Sequence, residues 1–286
     1  MNLRQLLRRL TPPLLTDLYR HHRYGAHVGP IWDGVYRHYR DVPISGPGYS
    51  GGPWLESTRA YTEWAIAEAK RQRMIPVGVT GYHSLMALLV AVLDQARRPV
   101  RVLDFGGGMG VGYAQLLSSL NDAIDIEYHV LDNPESCAIG TDLFRHDARI
   151  RFHHTLPEQL GRLDVLYMSG VIQFVENYRG LIDQAINYHP AYVLYAYVPG
   201  GEIPTFATRQ LNVRGSVIAS WFIDSRELID LMDRNQYSLL FKAASEREYD
   251  MSNFPIGYRL DRMGHLLFAR RSDRTAGSTS EGESEL

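Results

Sequence analysis

The stretch RVLDFGGGMGVGYAQLL, residues 101–117, carries four glycines within positions 106–110, directly behind an apolar, β-branched run. Glycine weakens strand and helix interiors alike, so neither element gains from the cluster. A helical period resumes near residue 112, which makes the glycines a strand-to-helix turn. One or two glycines suffice for such a turn. Gly106, Gly107, Gly108 and Gly110 exceed that, which predicts a ligand lying against bare main chain.

From residue 100 onward, short apolar runs alternate with helical segments. Strands are predicted at 101–105, 126–131, 149–153, 164–168 and 191–197, and helices at 112–120, 134–145, 156–160 and 176–188. Such alternation argues for a parallel sheet with helices on both faces. The rhythm then changes. A helix over 225–235 opens with Asp224 at its N-cap and Glu227 three residues on, the capping-box pattern. Two strand-like runs come next, 237–249 and 265–271, joined only by a loop, so they are expected to pair as an antiparallel hairpin. The expectation is an α/β fold: a Rossmann-like, seven-stranded, mostly parallel sheet with a C-terminal antiparallel hairpin, preceded by an N-terminal helical extension.

The extension covers 1–99. Leu3, Leu6, Leu7 and Leu10 recur at helical spacing, and residues 1–25 hold five Arg against one Asp. Two readings are open: an amphipathic helix docked on the domain, or one touching an anionic membrane surface through residues 1–20. A Gly/Pro-rich loop spans 40–53, and helices are predicted at 54–74 and 82–96. The first should turn Trp54, Thr58, Tyr61, Trp64 and Ala65 to one face. Residues 100–271 form the main domain, and 272–286 read as a disordered acidic tail.

Composition narrows the function classes. A net charge of −2 over 286 residues argues against a protein built around a nucleic-acid backbone. One cysteine, Cys137, excludes an intrachain disulfide and suggests no zinc site; it reads as a buried small hydrophobe. The longest apolar run, LMALLVAVL at 85–93, is too short to span a bilayer, and a cytoplasmic protein is expected. Oligomeric state has no signature here.

The glycine spacing discriminates between ligands. A dinucleotide fingerprint needs a third small residue where Val111 or Tyr113 stands, and a P-loop lysine is absent. The frame that fits is D-x-G-x-G-x-G, from Asp104 through Gly106, Gly108 and Gly110. A carboxylate two positions ahead of the loop repels a pyrophosphate but suits an ammonium group. A second acid, Asp132, ends the next strand in VLDNP, where it can accept hydrogen bonds from ribose hydroxyls. An ammonium, a carboxylate and a ribose on one molecule indicate S-adenosylmethionine. The expected cofactor-binding residues are Asp104, Gly106, Gly107, Gly108, Gly110, Asp132, Asn133, Ser169 and Gly170.

With these residues the sequence resembles the seven-stranded, class I S-adenosylmethionine-dependent methyltransferases. VLDFGGGMG matches their first motif, VLDNP the acid ending their second strand, and LDVLYMSGVIQFVEN (163–177) their fourth strand and following loop. The resemblance covers about 100–271. More narrowly, PPLL (12–15), WDGVYRHYRDVP (32–43), TGYHSL (80–85), LDFGGGMG and ATRQLNV (207–213) resemble methyltransferases of bacterial surface-polysaccharide gene clusters. The resemblance implies methyl transfer to a small polar acceptor, a hydroxyl or amine on a sugar or sugar-linked metabolite. Two rivals stand beside it: a non-catalytic domain that binds the cofactor or a nucleoside, and a nicotinamide-dependent oxidoreductase.

The acceptor side is less legible. His83, Ser169 and Gln173 are the candidates for chemistry. Ser169 stands where metal-dependent relatives carry a magnesium-holding acid, so no metal is expected. Tyr49, Trp54 and Tyr82 are candidates for an acceptor wall or a cover for the sulfonium. Gln210 and Asn212 are candidates for holding sugar hydroxyls, or for a satisfied loop. His129 is expected to be buried and satisfied, His153 and His154 to line the adenine or form an ordinary loop pair, and His189 to be structural.

Overall fold

The computed structural model describes residues 29–71, 77–94, 98–121, 123–158 and 160–271, with the backbone alone described over 77–83. The readings of 1–20 as an amphipathic helix and of 272–286 as a tail lie outside the described residues, as do the side chains of Tyr82 and His83.

The central sheet has seven strands: β2 (Val100–Phe105), β3 (Ile126–Leu131), β4 (Ile150–His153), β5 (Val165–Ser169), β6 (Tyr192–Val198), β10 (Tyr237–Ala244) and β11 (Gly264–Arg270). Their order is β10-β11-β6-β5-β2-β3-β4. The pairs β2–β3, β3–β4, β2–β5 and β5–β6 are parallel, while β11 runs antiparallel to both β6 and β10. This is the expected Rossmann-like sheet with its closing hairpin.

The chain enters at β2, builds outward through β3 and β4, then crosses back to β5 and β6. The turns after β2 and β5 therefore diverge at the sheet's carboxyl edge, where open α/β sheets form a crevice. The strands explain their own burial. Leu103 and Leu166 point to one face and Val102, Tyr128 and Tyr167 to the other, all fully buried, as expected of a sheet covered on both sides.

Among the described residues six α-helices accompany the strands: α1 (Gly52–Lys70), α2 (Val77–Leu93), α3 (Val111–Ser119), α4 (Pro134–Leu143), α5 (Tyr178–Ile186) and α6 (Ser225–Arg234). Helices α1 and α2 pack on α3. Asn133 caps α4, its Oδ1 accepting from the Ser136 N–H at 2.9 Å, with Pro134 at the first helical position. The predicted helix over 156–160 is not formed by the described residues there. Pro157 lacks an amide proton, its carbonyl takes the Tyr188 hydroxyl, and Gly161 turns the chain at φ +63°.

On α1 the buried positions are Thr62 and Ala65, and Trp64 is 38% exposed, so the expected five-residue face is not buried as one. The predicted capping box on α6 also forms differently. The Asp224 side chain accepts from the Arg226 N–H, but Glu227 does not return to the cap. The Asp224 N–H goes to Thr205 Oγ1 instead, and Glu227 accepts from Thr205, Tyr178 and Arg179. Three tertiary donors outcompete one local amide.

A second sheet was not anticipated from the sequence. β1 (Trp32–Tyr36), β7 (Gly200–Gly201), β8 (Phe206–Gln210) and β9 (Ile218–Asp224) pair in the order β1-β8-β9-β7. β1 runs antiparallel to β8 although about 175 residues separate them. Trp32 seats it, with its ring 5.2 Å from Phe222 and 5.1 Å from Tyr249 in edge contacts. The segment 40–53 holds two short 3-10 turns and a bridge from Ser45 to Val217, which fasten it to the loop after β8.

Candidate functional site

Between the turns after β2 and β5 lies a cavity of about 570 Å³. Its floor is Asp104 with Gly106, Gly107 and Gly108. Asp132 and Asn133 close one side, and Ser169, Gly170 and Val171 the other. Tyr49, Trp54, Thr58 and Phe174 complete the lining. Of the nine expected cofactor-binding residues, eight line this one space; Gly110 sits behind it, packed toward Phe144, Ile150 and Phe152.

The glycines have two different reasons. A Cβ on Gly107 would lie 2.4 Å from Asp104 Oδ2, so that residue is bare to let the buried carboxylate stay in place. Gly108, at φ +58°, has nothing within 4 Å of where a Cβ would stand. There the main chain faces open cavity, the arrangement the sequence predicted for a ligand. At Gly108 the backbone is left open to the cavity, whereas protein packing accounts for Gly107.

Asp104 is 2% exposed. Its Oδ2 accepts from the Tyr128 hydroxyl at 2.7 Å. Burial pushes its pKa up to about 7; the Tyr128 hydrogen bond opposes the rise and the charge of Asp132 adds to it. Asp132 is also raised by burial, against hydrogen bonds that favour its ionised form. Its Oδ2 accepts from the Gly108 N–H at 2.8 Å, and its Oδ1 from Asn133 N–H and Nδ2, both at 2.7 Å. Each carboxylate oxygen carries two acceptor directions, so capacity remains for donors from a ligand.

The aromatic wall is a packed unit. The Tyr49 ring lies 5.2 Å from Trp54 and 5.0 Å from Phe174, both in edge contacts. Gln210, 8% exposed, does not line the cavity: its Oε1 takes the Trp32 Nε1–H, and its Nε2 reaches Tyr49 Oη and Asn212 Oδ1. Gln210 ends β8 rather than lying in a loop, and both ends of its amide are paired within the protein, which leaves its candidate role as a direct sugar holder without a free group.

Ser169 borders the cavity and hydrogen-bonds the Tyr167 phenol. Gln173 is 5% exposed and stands behind that border, with its Oε1 unpaired. His83 lies in α2, its side chain outside the described residues. No histidine lines the cavity among the described residues. His129 is buried and paired with Glu127 and with His153 Nε2 at 2.9 Å, and His153 is not among the lining residues. His154 is exposed. His189 follows the end of α5 at φ +49°, its N–H donating to the Ile186 carbonyl. Cys137 is a buried free thiol. Phe174, Thr58, Val111 and Val171 line the cavity without having been named as site residues; their place in the turn after β5, on α1 and at the start of α3 was the available signal.

Among the described residues no group of three or more His, Cys, Asp or Glu is arranged to hold a metal ion, and no helix is long and apolar enough to cross a membrane.

Strand order, the antiparallel β11 and the cavity at the switch point define a Rossmann-like α/β protein. No protein-family profile matches the sequence, and no curated protein does. Among solved structures, the chain is similar to the 1,6-didemethyltoxoflavin-N1-methyltransferase of Burkholderia thailandensis, crystallised with its namesake compound and S-adenosylhomocysteine. That likeness is at 16% identity, covering 81% of this chain and 94% of the other with a TM-score of 0.47. It is also similar to the magnesium protoporphyrin IX methyltransferase of Synechocystis, at 11% identity, 76% and 99% coverage and a TM-score of 0.46. A third similarity is to the CcbJ methyltransferase of Streptomyces caelestis, at 15% identity, 65% and 88% coverage and a TM-score of 0.45.

Proposed function

We propose that the protein is an S-adenosylmethionine-dependent methyltransferase acting on a small polar acceptor. The observation that carries this is one cavity in which a buried acid, Asp104, and a partly buried one, Asp132, flank main chain open at Gly108. The fit rests on donor and acceptor chemistry. Asp104 suits the ammonium group of the amino-acid end, Asp132 the ribose hydroxyls, and the N–H groups at the start of α3 the carboxylate. The cofactor supplies an electrophilic methyl group on a sulfonium.

The chain's own work is binding, orientation and exclusion of water. Tyr49, Trp54 and Phe174 form an aromatic wall of the same cavity as the glycine turn, and aromatic ring faces favour a cationic neighbour. Holding two reactants in line can supply roughly 7–11 kcal/mol of a barrier. A hydroxyl acceptor must also lose its proton, and an amine need only arrive neutral. A hydroxyl or amine on a sugar or sugar-linked metabolite is the acceptor reading, supported by the resemblance to polysaccharide-cluster methyltransferases.

Two alternatives are separable by experiment. Val111 and Tyr113 stand where a dinucleotide fingerprint needs small residues, against the oxidoreductase reading. The binding-domain reading draws on the absence of a histidine among the described lining residues. Calorimetric titration should give micromolar affinity for S-adenosylhomocysteine and none for NADH, with the affinity lost in Asp104→Ala/Asp132→Ala. Affinity for NADH alone would overturn the proposal. Labelled cofactor with nucleotide sugars then tests transfer; binding with no transfer to any acceptor favours the binding domain.

A further inference from the structure

The hydrogen bonds behind the aromatic wall have a direction. The Trp32 indole N–H can only donate, and it points at Gln210 Oε1 at 3.2 Å. That fixes which end of the Gln210 amide is which. Its Nε2 then faces Asn212 Oδ1 at 2.9 Å and Tyr49 Oη at 3.3 Å. An amide nitrogen donates, so the Tyr49 oxygen accepts. The phenol proton is left over, and no other described residue takes it. Burial holds the Tyr49 phenol well above its ordinary range, so it keeps that proton. Trp54 and Phe174 pack on the ring from two sides, and the Gly48 N–H donates to Ser216 Oγ at 2.9 Å, tying the turn that carries Tyr49 to the second sheet.

We propose that Tyr49 recognises the acceptor molecule: it is a hydrogen-bond donor, polarised by Gln210, selecting a ring with an apolar face and a lone-pair-bearing oxygen on its rim. This rests on the reading of the cavity as a methyl-transfer site with its acceptor against the aromatic wall. It assigns Gln210 as a positioning residue, acting on ligands only through Tyr49. A sugar ring and an aromatic ketone share the recognised chemistry.

The test compares probes that differ by that oxygen. Acetophenone and ethylbenzene are titrated by NMR into the protein with and without S-adenosylhomocysteine, alongside methyl xylopyranoside. Wild type should prefer acetophenone to ethylbenzene. Tyr49→Phe should weaken acetophenone roughly 3- to 10-fold, the worth of one neutral hydrogen bond, and leave ethylbenzene unchanged. Gln210→Met, in which Tyr49 keeps its hydroxyl but loses its fixed polarity, should lower the preference. A matching loss for methyl xylopyranoside assigns the site to sugars, and no loss assigns it to aromatic ketones. Equal weakening of both ring probes in Tyr49→Phe, no preference in wild type, or an unchanged preference in Gln210→Met would overturn the proposal. Failure of wild type to bind S-adenosylhomocysteine would instead remove the methyl-transfer reading, with the probe ratio still reporting on Tyr49.

Discussion

Asp104 is a carboxyl group under opposing demands. Burial favours its neutral form, with a pKa pushed up to about 7, while an ammonium ligand requires the ionised one. Binding of S-adenosylhomocysteine should therefore strengthen as pH rises through about 7. Asp104→Asn should cost roughly 10-fold or more at pH ~8, the worth of a charged hydrogen bond, and flatten the pH dependence; calorimetry across that range checks both. Stability of the ligand-free protein has the opposite sign. The folded state holds this proton more tightly than the unfolded chain, whose pKa is about 4. Stability from this group is full below about 4 and is lost as pH rises through about 7. Asp104→Asn should thus melt higher than wild type at pH ~8, with the gap closing on acidification, and a melting series against pH would expose an error. Further along the turn, Gly107→Ala should disturb the carboxylate because its Cβ has no room beside Oδ2. Gly108→Ala should place a methyl in open cavity and lose ligand with a stability cost of about 1–2 kcal/mol for the left-handed backbone.

At the scale of elements, local signals read well where partners were local. Asn133 before Pro134 announces α4, and the glycines after β2 announce a turn. Asp224 and Glu227 carried a cap signal that was half realised, because Glu227 is drawn to side chains distant in sequence. Its carboxylate joins α5, the segment before β8 and α6. Glu227→Ala should leave the Asp224 cap in place yet destabilise the fold by about 2 kcal/mol, from loss of several charge-assisted hydrogen bonds on a partly exposed group. Urea denaturation measures this, and a change under about 0.5 kcal/mol, the level of an ordinary surface substitution, would contradict it. The 156–160 segment had a helical pattern too short to outweigh Pro157 and Gly161.

At the scale of the molecule, the segment ahead of residue 100 is interlocked with the strands and loops beyond residue 200. β1 pairs with β8, Trp32 packs on Phe222 and Tyr249, and the Trp32 carbonyl accepts from Asn253 Nδ2 at 2.9 Å. α1 contributes Trp54 and Thr58 to the cavity. A chain beginning at residue 100 should therefore fail to melt cooperatively and should bind a hydrophobic dye, with no affinity for S-adenosylhomocysteine. A sharp melt with intact affinity would show the later part to be self-sufficient.

The strands β2 to β6 with the helices between them, the closing hairpin, the glycine turn and the two acids at strand ends were legible in the sequence alone, the helix expected over 156–160 excepted. Each is a local matter of apolar period, backbone freedom and residue type at a strand's end. The second sheet, the partners of Glu227, the direction of the Gln210 amide and the meeting of Tyr49 with the glycine turn in one cavity were decided only in the tertiary structure. These depend on pairing segments far apart in the chain, or on competition between partners that meet only after the chain has folded, and no local pattern encodes which partner wins.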